Sequence, residues 1–202
     1  MVAEQLVARG IADQRVLDAM GRVPREAFVD EHDSKRAYLD MPLRIGYGQT
    51  ISQPYMVAII CQTADVHEGD RVLDIGAGSG YQAAVLSELG AEVHTIERIP
   101  ELAERARRRL AAAGYETVEV HVGDGSLGLL EHAPYDAITV AAAAPDMPAS
   151  LYEQLVVGGR LVVPVGGPAG QRLEVVVRSP EGPAITRSVP CRFVPLVGAE
   201  GF

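Results

Sequence analysis

The stretch Arg71-Val-Leu-Asp-Ile75-Gly-Ala-Gly-Ser-Gly80-Tyr-Gln-Ala-Ala-Val-Leu-Ser-Glu-Leu89 decides the fold. Its first five residues are a short apolar run that reads as a buried strand, and its last nine read as a helix. Gly76, Gly78 and Gly80 join the two. A strand, a glycine turn and a helix N-terminus together let backbone come very close to a ligand. The spacing is Gly-x-Gly-x-Gly, whereas a dinucleotide fingerprint, Gly-x-Gly-x-x-Gly, needs glycine at the position of Tyr81. The loop therefore leads away from nicotinamide and flavin cofactors. Alone it is a weak signal, because a tight turn without ligand has the same composition.

From this stretch onward strands and helices alternate. Strands are expected at 72–75, 92–96, 118–121, 136–140 and 160–164, with helices near 80–89, 101–113 and 148–156. The helix at 101–113 is the clearest: Leu102, Ala103, Ala106 and Leu110 form one apolar stripe and Gly114 stands where it should stop. Such alternation implies a parallel sheet covered on both faces. Two further strands, 173–178 and 188–195, flank a Pro/Gly-rich turn with no helix between them and should pair antiparallel. The sum is an α/β, Rossmann-like, seven-stranded sheet of methyltransferase type, mostly parallel with a C-terminal antiparallel hairpin. Upstream, residues 3–30 read as two short helices, the second capped by Asp13. Residues 31–53 read as irregular, and Pro54 opens a helix.

The bulk composition narrows the partners. The 202 residues suit one domain, with 48% hydrophobic and 22% charged residues. A net charge of −9 argues against general binding to nucleic acid or an anionic membrane. The one dense basic run, Arg105, Arg107, Arg108 and Arg109, reads as a solvated helix face. Cys61 and Cys191 lie far apart and fit no metal spacing, so two reduced thiols are expected. No secretory leader or membrane-length apolar stretch is visible, which suggests a cytoplasmic protein. The histidines at 32, 67, 94, 121 and 132 show no metal-ligand spacing and read as surface or satisfied side chains, with no metal expected.

Three acidic positions fall at strand ends, where open parallel sheets bind ligands. Glu97 follows the second strand of the alternating series, where a carboxylate can accept both hydroxyls of a ribose; otherwise it is a surface carboxylate. Asp124, within Gly123-Asp-Gly125, can accept from an adenine amino group while Gly125 lets the ring pack close; otherwise it is a turn residue. Asp74 either orients an amino group of the ligand or braces the glycine loop. Together they are far more specific than any one of them.

Gly46-Tyr-Gly-Gln-Thr-Ile-Ser-Gln-Pro54 followed by 72–86 resembles the protein-L-isoaspartate O-methyltransferases. The likeness continues through Ile96-Glu-Arg98, Gly123-Asp-Gly125, Gly158-Gly-Arg-Leu-Val-Val163 and Phe193-Val-Pro-Leu196, and reaches Val23-Pro-Arg-Glu-Ala-Phe28. It implies S-adenosylmethionine as cofactor, S-adenosylhomocysteine as its product, and methylation of the free α-carboxylate of L-isoaspartyl residues in damaged proteins and peptides. The ester then collapses to a succinimide whose opening returns some aspartate. By this resemblance Ser52 is the active-site serine, with Thr50 and Ile51 in a segment covering cofactor and substrate. Asp74, Gly76, Ala77, Gly78 and Gly80 match the methionine and ribose side, Glu97 with Arg98 the ribose side, and Asp124 with Gly125 the adenine contact. Val197 falls where the carboxyl end approaches substrate. It is apolar where some members carry a hydroxyl, and Val57 stands where some carry histidine. Residues 1–53 form an N-terminal, substrate-side cap and 54–202 the cofactor-binding core of one domain, expected to be a monomer.

The chemistry asks little of acid–base groups. A carboxylate with a free pKa of about 3.3–3.9 is already ionised at neutral pH and needs no general base. Ser52 is then a donor that holds the carboxylate, a cap for the Pro54 helix, or both. Two other readings remain open from the residues: a related acceptor on the same fold, and a nucleotide-binding module without turnover.

Overall fold

In the computed structural model, which describes residues 1–202, the glycine loop joins β3 (Arg71–Ile75) to α3 (Tyr81–Glu88) at the middle of the sheet. The other strands are β4 (Glu92–Glu97), β5 (Glu119–Val122), β6 (Tyr135–Val140), β7 (Leu155–Gly167), β8 (Gly170–Ser179) and β9 (Gly182–Cys191). Their spatial order is β5-β4-β3-β6-β7-β8-β9. The first five in that order run parallel, and β8 and β9 pair antiparallel to their neighbours. The chain winds outward from β3 to β5 and then crosses back to β6. This reversal opens a crevice at the carboxyl ends of β3 and β6.

Residues alternate between the two faces as the pleat requires. Val72 and Val93 join a 39-residue core with α1 (Gln14–Arg22), α2 (Pro54–Ala64), α3 and α4 (Pro100–Ala112). Leu73, Ile75 and Ile96 join a 14-residue core on the other face, against the short α5 (Ala149–Glu153). The N-terminal residues Leu6, Ile11 and Phe28 belong to the larger core, so that segment shares its apolar interior with the sheet.

Several expectations need correction. The first N-terminal helix is a π-helical turn at Val2–Leu6 running into a 3-10 turn, while α1 starts as expected at the Asp13 cap, which accepts from Arg15 N at 2.9 Å. Residues 31–53 are not wholly irregular: β1 (Leu43–Gly46) and β2 (Gln49–Ile51) form a hairpin, turned by Tyr47 and Gly48 at positive φ. The last strand starts six residues and ends four residues earlier than its apolar pattern suggests. Ser179 pairs with Gly182 across a two-residue turn, which fixes β9 to 182–191. The apolar residues after it leave the sheet and lie beside Ala143 instead.

The arginine run on α4 is not a solvated face either. Arg105 donates to the Ile45 carbonyl, Arg109 to Phe28 O at 3.1 Å and to Asp30 at 2.7 Å, and Arg107 to Val120 O at 2.6 Å. Only Arg108 is mostly in solvent. These arginines tie the N-terminal segment and β5 to the helix. Cys61 and Cys191 are both free thiols. No helix is long and apolar enough to cross a membrane.

Candidate active site

The glycine loop is fastened at both sides. Gly76 N and Ala77 N donate to the Ile96 carbonyl at 2.8 and 3.2 Å, and Gly78 N donates to the Glu97 carboxylate at 3.0 Å. Gly76, Gly78 and Gly80 all have positive φ, the left-handed region that glycine enters without strain. Glu97 also accepts from Ile99 N at 3.0 Å, one amide on each oxygen. Each oxygen keeps acceptor capacity, since an ionised carboxylate offers about four lone-pair sites.

A cleft begins beside Glu97. Gly76, Gly78, Arg98, Gly125 and Ala141 line it, and the C-terminal segment from Val194 to Val197 forms one wall. The wall is pinned by Leu196 N donating to Ala143 O at 2.7 Å and Ala143 N donating to Val194 O at 2.8 Å. Gly125 is required by closeness. A Cβ there would stand 2.6 Å from Ile75 Cγ2 and 3.2 Å from Ile96 Cγ2.

Through Thr50, Gly76, Gly78 and Ala141 the cleft continues into a lobe lined by Ile51, Ser52, Val57, Ala77 and Gln82. That lobe opens past Pro42, Gln53, Met56, Arg192 and Phe193. Ser52 does not cap α2: the capping position is Gln53, with no side-chain cap bond. Its carbonyl accepts from Arg25 Nη2 at 2.7 Å. Arg25 is fully buried, stacks over the Tyr81 ring at 4.7 Å, and donates from Nε to Ala37 O at 2.7 Å. Burial lowers its pKa from the usual guanidinium value, with the neighbouring Tyr81 opposing. Nη1 has no partner.

Three expected ligand residues do not face the cleft. Asp74 is fully buried, and its oxygens accept from Gln82 Nε2 at 2.7 Å, Thr139 Oγ1 at 3.0 Å and Thr95 Oγ1 at 3.0 Å. Burial pushes its pKa up to about 6, against the lowering effect of those three donors. These bonds tie β3 to β4, β6 and α3, and none of them reaches the glycine loop itself. Asp124 caps a 3-10 turn, accepting from Ser126 N at 2.9 Å and Ser126 Oγ at 2.7 Å, and also accepts from Ala199 N at 2.8 Å. Burial raises its pKa, but the bonds from Ser126 and Ala199 outweigh that and the net shift is downward. Asp124 thereby holds the C-terminal segment beside the site, with Oδ2 accepting only from Ala199 N. Gly80 faces α4, where a Cβ would meet Leu110 Cγ at 3.1 Å.

Sequence reasoning missed Gln82, Arg25 and the Ala141–Ala142 wall. Because the Gln82 amide nitrogen donates to Asp74, its carbonyl Oε1 is the free end; it is buried, unpartnered, and belongs to a residue lining the Ser52 lobe. A buried acceptor without a partner costs free energy unless a ligand donor meets it. Gln82, Glu97 and Gly125 follow one another along this cleft.

An α/β sheet that places one carboxylate between its glycine loop and such a cleft, without the third dinucleotide glycine, is that of the S-adenosylmethionine-dependent methyltransferases. Solved structures agree. A protein-L-isoaspartate O-methyltransferase superposes with a TM-score of 0.87 at 29% identity, covering 96% of this chain and 64% of that one. A putative protein-L-isoaspartate O-methyltransferase from Plasmodium falciparum, in complex with S-adenosyl-L-homocysteine, gives 0.85 at 26% identity, covering 97% and 96%. Residues 1–201 match the family described as protein-L-isoaspartate(D-aspartate) O-methyltransferase, and the chain belongs to it. Relatives include protein-L-isoaspartate O-methyltransferase 2 of Pelobacter propionicus, 54% identical over all of this chain and 91% of its own length. The protein-L-isoaspartate O-methyltransferase of Protochlamydia amoebophila is 51% identical, over 100% and 97%.

Proposed function

We propose that this protein transfers the methyl group of S-adenosylmethionine to the free α-carboxylate of L-isoaspartyl residues in damaged proteins and peptides, starting their repair. The observation that carries the reading is the continuity of the cleft, which runs from Gly125 past Glu97 to Ser52 and then opens outward. When bound, S-adenosylmethionine supplies an electrophilic methyl group on a sulfonium. Glu97 would accept from the ribose hydroxyls, with Arg98 on the same side, and Gly125 would leave room for the adenine beside Ile75 and Ile96. Gln82 Oε1 would accept from the methionine ammonium, its amide held by Asp74. Asp124 acts through the C-terminal segment, and Val197 on that segment contributes backbone and apolar wall.

At the other end Thr50, Ile51 and Ser52 meet the substrate. The acceptor carboxylate is ionised without help, so the protein's task is alignment of oxygen, methyl carbon and sulfur. Holding reactants in that geometry is worth about 7–11 kcal/mol in favourable cases. The Ser52 hydroxyl donates to the carboxylate, and a hydrogen bond to a charged group contributes roughly 1.5–3 kcal/mol. The open cavity of about 720 Å³ lined by Pro42, Met56 and Arg192 leaves room for polypeptide flanking the damaged residue.

The test is a pair of peptides differing only in an isoaspartyl or aspartyl linkage, incubated with methyl-labelled cofactor. Label should enter the isoaspartyl peptide alone. Equal labelling of both would sink the assigned acceptor.

A further inference from the structure

Three of the five histidines converge at the other end of the strands. His94 on β4 pairs in register with Glu119 on β5, His121 lies two residues further along β5, and His132 stands on a short 3-10 turn against them. Sequence spacing does not show this grouping, because parallel pairing joins residues 27 positions apart. His94 is buried, His121 and His132 are half-buried, and Glu119 reaches in from solvent.

We propose that His94, Glu119, His121 and His132 bind one divalent transition-metal ion of the zinc type. His94 Nδ1 and His121 Nε2 are 3.3 Å apart, and Glu119 Oε2 is 3.7 and 3.8 Å from them. A metal ion about 0.7 Å out of the plane of that triangle, as a tetrahedral site requires, would lie about 2.2 Å from all three atoms, at the upper end of zinc bond lengths. With His132 included, the four ligand atoms lie within 4.8 Å of one another. His132, one-third exposed on its turn, supplies the fourth ligand.

The surroundings match a metal site beyond the ligands themselves. His94 Nε2 is 3.3 Å from Glu92, and Glu92 is held in turn by Arg71 at 3.0 and 3.3 Å. A carboxylate on the far nitrogen fixes the tautomer that leaves Nδ1 free to coordinate. Imidazole and carboxylate together suit zinc, cobalt or nickel, not magnesium or calcium. With four protein ligands the site is closed and structural. Its effect is to fasten the turn at 130–132, and with it the β5–β6 connection that begins at Asp124, onto the sheet.

The full-length, untagged protein, stripped with chelator, should bind one Zn²⁺ by calorimetry. At about 100 times Kd, Zn²⁺ should raise Tm by roughly 5–10 °C, while Mg²⁺ does not. Co²⁺ should give the intense visible bands of a tetrahedral site. His132→Asn and Glu119→Gln change partly exposed side chains; each should weaken Zn²⁺ at least about 10-fold while the metal-free Tm stays near that of wild type. Absence of stoichiometric Zn²⁺ binding, an equal response to Mg²⁺, or unchanged affinity in both variants would overturn the proposal.

Discussion

The Arg25 guanidinium holds the Ser52 backbone carbonyl at 2.7 Å from inside the core, with no carboxylate bonded to it. The segment that carries the substrate-side serine is thus positioned by a buried fork whose other arm holds Ala37. Lysine has one ammonium point in place of that fork and cannot bond both carbonyls in the same geometry. Arg25→Lys should therefore lower kcat on isoaspartyl peptide by about 10- to 100-fold, the range expected when a reacting group is misplaced by about 1 Å. Affinity for S-adenosylhomocysteine should change far less. A matching loss in both, measured by steady-state kinetics and calorimetry, would show that Arg25 supports the whole cleft.

Ser52 lies at the substrate end of the cleft and Glu97 further in, so their variants should separate. Ser52→Ala removes a donor to the acceptor carboxylate and should lower kcat/KM for peptide about 10- to 150-fold, with cofactor affinity kept. Glu97→Gln removes a charged acceptor and replaces one oxygen with a donor facing either Gly78 N or Ile99 N. It should weaken S-adenosylhomocysteine by a similar factor. Reversal of the two patterns would exchange the assignments of the two residues.

The alternating strands and helices were legible because each strand of the parallel sheet is a short apolar run and each helix carries its own stop. Glu97 and Gly125 were legible for the same reason, since strand ends are where such a sheet binds. What stayed hidden depends on pairing across long separations. Arg25 sits among residues that read as an ordinary N-terminal segment, and nothing local shows that it is buried against Tyr81. Phe193-Val-Pro-Leu196 has the composition of a strand, yet Ala143 draws it out of the sheet to wall the cleft. Nothing near Asp124 in the sequence shows that Ala199, 75 residues away, donates to it.

Two glycines separate packing from binding. Gly125→Ala would push a methyl group into Ile75 and Ile96, both buried and both at the cleft. It should weaken S-adenosylhomocysteine at least about 10-fold, and overpacking should cost about 1–3 kcal/mol of stability. Gly80→Ala meets Leu110 at a φ of +91° and away from the cleft. It should lower stability by about 1–3 kcal/mol through backbone strain while the folded protein binds normally. Thermal denaturation with and without ligand distinguishes them, and a binding defect in Gly80→Ala would place that residue in the site after all.

Asp74 makes stability depend on pH in an unusual direction. Its free carboxyl titrates near 3.8 and burial raises it to about 6 in the folded protein. Between those values the folded state binds more protons than the unfolded chain, so this group's contribution falls as pH rises through the window. Above about pH 6 the full cost is present; below about pH 4 it is gone. Asp124 works the other way, since its pKa is lowered and its contribution is lost only as pH falls below the usual carboxylate value. Asp74→Asn removes the first effect alone. Relative to wild type, the variant should therefore gain about 3 kcal/mol between pH 4 and pH 7, on top of a constant loss from its altered bonding to Thr95. Urea denaturation of both proteins at several pH values measures that difference. A difference that stays flat across the range would mean that Asp74 remains ionised through its bonds to Gln82, Thr95 and Thr139.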